Sequence, residues 1–192
     1  MIVVHPTDPS TRCLSPIYEG LPNVRFFDSL KQREEILQAI RNAPLDEPVF
    51  LLGHGTPAGL LDMRGWGLVV TPADAALLSG RPNLCGIWCY ASTYAARHSL
   101  KGFFSGMFVS EYGEALSKGV DATPEEIEDR NWDFSGRFGD LLREGKTLEA
   151  AAKEMMDARH IVSDLTRFNY SRLTWRPKGN EPLPVDEGLI YW

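Results

Sequence analysis

Two short apolar runs constrain the fold of this chain most. "PVFLLGHG", Pro48 to Gly55, and "NLCGIWC", Asn83 to Cys89, are each an unbroken apolar stretch bounded by turn-forming residues. Such runs read as strands buried on both faces, the situation of a parallel sheet covered by helices. Each run closes on a chemically versatile side chain: His54 between Gly53 and Gly55, and Cys89 ahead of "YASTYAARH", a short helix. In open α/β sheets, function gathers in the loops beyond the carboxyl ends of the strands. The two residues lie 35 positions apart, which accommodates a hairpin and a crossover helix between adjacent parallel strands.

The rest of the chain fits that frame. "MIVVHP" is a β-branched first strand stopped by proline, and "NVRFFD" a second strand. Between them Thr7 to Pro22 reads as loop, with a turn of helix near Leu14 to Glu19. Apolar Leu30, Ile36, Leu37 and Ile40 among charges, with Ser29 as cap and Pro44 as terminator, predict an amphipathic helix. "GLLDMRGWGLVVT" predicts a hairpin turning near Arg64 and Gly65, and Thr71-Pro72 opens a short helix. "KGFFSGMFVS" supplies a fifth strand and "EYGEALSKG" a glycine-closed helix. From Thr123 onward two charged, threonine-capped helices are expected, "TPEEIEDRNWDFSGRFGDLLREG" and "TLEAAAKEMMDARHIVSDLTRFN", then an extended Pro-rich tail. Trp132, Phe134, Phe138 and Leu141 form a stripe that would dock on the sheet. The expectation is one α/β domain over 1–192. Its core, 1–118, is a mostly parallel sheet flanked by helices, and 119–192 is a helical C-terminal extension packed on it.

Composition narrows the partners. With 43% hydrophobic residues the chain can bury a real core, and a net charge of −6 argues against nucleic acid or an anionic membrane. The opening residues lack the basic and long apolar regions of a signal peptide. Three cysteines form no disulfide framework, so a cytoplasmic protein is expected. Cys85 and Cys89 share one strand, on the order of 13 Å apart, too far to chelate one ion, so no metal is expected. "GHGTPAG" imitates a dinucleotide fingerprint, but a hairpin follows where the pyrophosphate-holding helix should stand, so no cofactor is expected. No G-x-S-x-G elbow of a serine hydrolase occurs.

A thiol beyond a strand and before a helix N-terminus gains free backbone amides, and a histidine on the neighbouring strand could shuttle its proton. Spacing alone favours the plainer reading, a turn histidine and a small buried cysteine. An apolar strand ending in His-Gly, then "HGTPAGLL" running into a hairpin, then a strand ending in Cys, resembles the caspase-like cysteine peptidases over about Met1 to Lys118. The resemblance implies a caspase-like three-layer sandwich. It also implies Cys89 as nucleophile, His54 as general acid/base, and the amides of Gly55 and Cys89 as oxyanion hole. The implied substrate is a peptide or protein, cleaved at a peptide or related amide bond. It further points to "HPTDPSTR" and "FSGMFVSE" as walls of the substrate pocket, where Asp8 or Glu111 would favour a basic side chain and Arg12 an acidic one.

This chain has Ile-Trp-Cys-Tyr-Ala, Ile87 to Ala91, where caspases carry Gln-Ala-Cys-Arg-Gly. Trp88 in place of a small residue leaves a second reading open. In it, a catalytically inactive caspase-like domain serves as a binding or regulatory module.

Overall fold

A computed structural model of the chain describes residues 1–182. Its centre is a six-stranded sheet of β1 (Ile2–Val4), β2 (Arg25–Phe27), β3 (Val49–Leu52), β7 (Leu84–Ile87), β8 (Gly102–Ser105) and β9 (Leu173–Arg176), in the order β2-β1-β3-β7-β8-β9. The first five are parallel neighbours, and β9 runs antiparallel on β8. A separate three-stranded antiparallel sheet holds β4 (His54–Thr56), β5 (Gly59–Asp62) and β6 (Gly67–Val70).

Alternation along the strands feeds two cores. Ile2, Val4, Val49, Leu51 and Leu84 point to one face, where helices α1 (Arg33–Asn42), α2 (Ala75–Leu78) and α3 (Ala91–Arg97) cover them. Val3, Phe50, Leu52, Cys85, Ile87 and Phe103 point to the other, under α5 (Pro124–Arg143) and α6 (Leu148–Met155). The aromatic stripe docks there: Phe138 lies 6.1 Å from Phe50 and 5.4 Å from Phe103, ring centre to ring centre. Phe134 and Leu141 are buried with it, and each ring so placed contributes on the order of 2 kcal/mol. Trp132 stays half-buried and turns to a cleft described below. α5 begins as its sequence dictates, with Thr123 accepting from the Glu126 amide and Pro124 in first position.

The expected helix over Ser29 to Pro44 is split into a 3-10 turn, Leu30–Gln32, capped by Ser29, and α1. The segment expected as one helix after Thr147 is broken into α6, a 3-10 turn (Ala158–His160) and α7 (Asp164–Tyr170). Asp157 and Ser163 break it, because their side-chain oxygens accept from the amides of Arg159 and Thr166. The chain after Tyr170 then becomes β9. The C-terminal part is therefore not wholly helical, since it closes one edge of the main sheet. Most of the Pro-rich tail, from 183 on, lies outside the described residues.

The largest local correction concerns β3. Its ladder stops at Leu52, and Gly53, at φ +133°, turns the chain so that His54 begins β4 instead of ending β3. No helix among the described residues is long and apolar enough to cross a membrane.

Candidate active site

Parallel register brings the two singled-out residues to one level. Leu52 pairs with Ile87, and His54 and Cys89 each follow two residues later. Both line one narrow cleft with Ser10, Thr11, Cys13, Trp88, Phe108 and Ser110, which has room for about 20 Å³ of water-sized groups, enough for a single water.

His54 is held from the loop after β1. Its Nε2 lies 2.9 Å from Asp8 Oδ2 and 2.8 Å from Ser10 Oγ. Asp8 is itself fixed, since its Oδ1 accepts from the Ser10 amide (2.9 Å), the Ser10 hydroxyl (2.8 Å) and the Thr11 amide (3.1 Å). Burial raises the Asp8 carboxyl, but the Ser10 hydroxyl, the His54 ring and the Thr11 and Ser10 amides outweigh it and hold it below the ordinary value. A carboxylate accepting from Nε2–H sets the neutral tautomer, so Nδ1 is left as the basic atom of the ring. Asp8 and Ser10 both reach the same nitrogen, so these three groups are not the relay of a serine hydrolase, which needs them on opposite ring atoms.

Cys89 occupies the turn between β7 and α3, outside both ladders. Tyr90, at φ +69°, makes the turn sharp, and its amide donates to the Gly106 carbonyl at 3.0 Å. Just before, the Trp88 amide donates to Ser105 Oγ (3.0 Å), whose hydroxyl returns a bond to the Trp88 carbonyl (2.9 Å). The thiol faces inward. It lies 3.3 Å from the Phe108 carbonyl and 3.9 Å from Glu114 Oε1, on helix α4 (Tyr112–Lys118). Burial and the Glu114 charge push the thiol up to about 12. Cys13, also in the cleft, is pushed up to about 12 by burial, and Cys85 lies buried within β7.

Trp88 is 1% exposed and packs where two glycines make room. A Cβ at Gly55 would stand 1.9 Å from the indole, and one at Gly86 2.6 Å from its far edge. The indole N–H donates to the Thr56 carbonyl at 3.2 Å. Gly55, read in the sequence as keeping an oxyanion position open, therefore has a packing reason to be glycine, and it pairs with Leu60 in the β4–β5 hairpin.

Arg12 and Glu111 line a second cleft of about 300 Å³ with Tyr112, Glu128, Asn131 and Trp132, and it shares Ser10, Cys13 and Ser110 with the first. Asp8, grouped with them from the sequence, lies at His54 instead. The sequence reading missed two groups: Asp8–Ser10 as the clamp on His54, and Glu114 beside the thiol. Local signals existed for both. "TDPST" is an Asp-led turn, and Glu111 to Glu114 has the spacing of a capping box. Neither signal says which strand end its element will reach.

Among the described residues no group of three or more His, Cys, Asp or Glu is arranged to hold a metal. No protein-family model, no curated protein and no solved structure matches this chain.

Proposed function

We propose that this chain is a cysteine hydrolase of caspase-like arrangement, cleaving a peptide or related amide bond with Cys89 and His54. The observation that carries the reading is the clamp on His54. Asp8 holds Nε2, and the ring it orients shares a cleft with a thiol at the same level of the neighbouring strand. A carboxylate that fixes the tautomer of a histidine beside a nucleophile is the arrangement a general base requires.

The thiol at rest keeps its proton, so attack and proton transfer go together. As Sγ attacks the carbonyl carbon, its proton passes to His54 Nδ1, and the amides of Gly55 and Cys89 receive the developing oxyanion. His54 then returns the proton to the amine as the C–N bond breaks. Water, deprotonated by the same ring, releases the acid from the thioester.

One observation favours the alternative, an inactive domain that binds or regulates: the sulfur faces two acceptors, Phe108 O and Glu114, rather than an activating cation. Alkylation by iodoacetamide, resolved by site with mass spectrometry from pH 5 to 9, separates the two. In an active pair Cys89 is labelled faster than Cys13 and Cys85, and His54→Ala slows it by about tenfold or more. Labelling indifferent to His54, in the native chain and in Glu114→Gln alike, would end the hydrolase reading.

A further inference from the structure

Glu114 holds a position that neither capping nor surface charge accounts for in full. Its Oε2 is fixed by the Ser110 amide (2.8 Å), the Ser110 hydroxyl (3.2 Å) and the Glu111 amide (3.2 Å), which leaves Oε1 aimed at Cys89 Sγ. The sulfur's other near partner is a backbone carbonyl. Both partners only accept, so in this arrangement the sulfur must carry its proton and donate it.

We propose that Glu114 is a positioning residue that acts as a brake, holding Cys89 protonated and turned toward α4 until the side chain rotates to meet His54. The inference rests on the reading of Cys89 as the reacting thiol and adds how that thiol is kept idle. The charged and titratable groups around the sulfur are Glu114 and Lys118 on α4, and His54 and Cys13 across the cleft. Of these, Glu114 is the one in contact with the sulfur. Ser110 and Glu111, whose amides anchor the brake, also wall the larger cleft, so the turn that holds the thiol idle is the turn a ligand there would touch.

The test is Glu114→Gln in the full chain, followed by site-resolved iodoacetamide labelling against pH. The amide oxygen of Gln can still accept from Ser110 and Glu111, while the charge is gone. Labelling of Cys89 at pH 8 should rise about tenfold, with its pH profile moved to lower pH, because one like charge in contact has been removed. Cys13 in the same molecules should keep its rate, and the acceleration should persist when His54→Ala is added, since the charge acts on the sulfur directly. Two results would overturn the brake. One is a Cys89 rate within twofold of the native chain. The other is equal acceleration of Cys89 and Cys13, which would mean local opening. Failure of the hydrolase reading shows separately, as a Cys89 rate in Glu114→Gln that does not fall when His54→Ala is added.

Discussion

The ends of β3 and β7 stand side by side at one register and are built in opposite ways. Beyond β3 the chain turns at Gly53 and holds His54 partly buried, with its Nε2 clamped by a carboxylate and a hydroxyl from the β1 loop. Beyond β7 it turns at Tyr90, with the thiol directed inward against a carbonyl and a second carboxylate. One carboxylate therefore fixes the orientation of its partner ring, while the other opposes ionisation of its partner. Register places two residues together; the loops arriving from β1 and from β8 decide what each can do. The comparison also separates two uses of an acidic side chain. Asp8 meets a group that gains from a nearby negative charge, and Glu114 meets one that loses by it.

Trp88 is the wedge between the two ends, and its loss should have the largest effect on stability. Replacing it with Ala empties space walled by Gly55 and Gly86 and removes the bond to Thr56, costing about 3–5 kcal/mol. Gly55→Ala drives a methyl into the same indole, at about 1–3 kcal/mol. The double variant should be less destabilised than the sum, because the clash disappears with the ring. Urea denaturation of the three variants checks this, and strict additivity would show that indole and glycine do not share one space.

Acid should weaken the His54 side first, through His5 at the end of β1. That ring is fully buried, with Nδ1 3.1 Å from the Tyr18 hydroxyl and Nε2 without a partner among the described residues. Burial lowers it to about 4 from the ordinary 6.5. Between those values the unfolded chain binds the proton that the folded chain refuses. Stability therefore falls as pH drops from 6.5 to 4, by about 3 kcal/mol in all, and this contribution levels off below. His5→Gln should remove most of that slope. An unchanged slope in urea titrations at pH 7 and 4.5 would assign the acid sensitivity elsewhere.

Strand existence was legible because burial on both faces forces continuous apolar runs, and β1, β3 and β7 all carry them. The stripe on α5 was legible for the same reason at helical period. β9 escaped because "LTWR" follows α7 with only Ser171 and Arg172 between them, and its pairing to β8 is a long-range choice no local pattern carries. The site divided along the same line. His54 and Cys89 could be placed from strand ends, whereas the clamp and the brake depend on which loop crosses which strand end. Trp88 read as an obstacle to the site because nothing local links it to Gly55, 33 positions earlier.

The smallest stability effect should come from Asp8→Asn, and it sharpens the contrast between the two carboxylates most. Asn keeps an oxygen for the Ser10 and Thr11 amides, so the β1 loop should hold, with a loss of under about 1 kcal/mol at neutral pH. Its NH2 would now face Nε2, which must accept instead of donate, and the ring proton would move to Nδ1. Under the proposed hydrolase reading, the nitrogen that should take the thiol's proton would then already carry one. Nitrogen-15 spectra of the imidazole should show Nε2–H in the native chain and Nδ1–H in the variant, and Cys89 labelling should fall toward its His54→Ala level. Below about pH 4 the native chain should also lose stability more steeply than the variant, since the Asp8 carboxyl is held low in the folded state and favours it only while ionised. If the variant keeps Nε2–H and full labelling, Asp8 merely shapes the loop, and the two strand ends differ less than their contacts indicate.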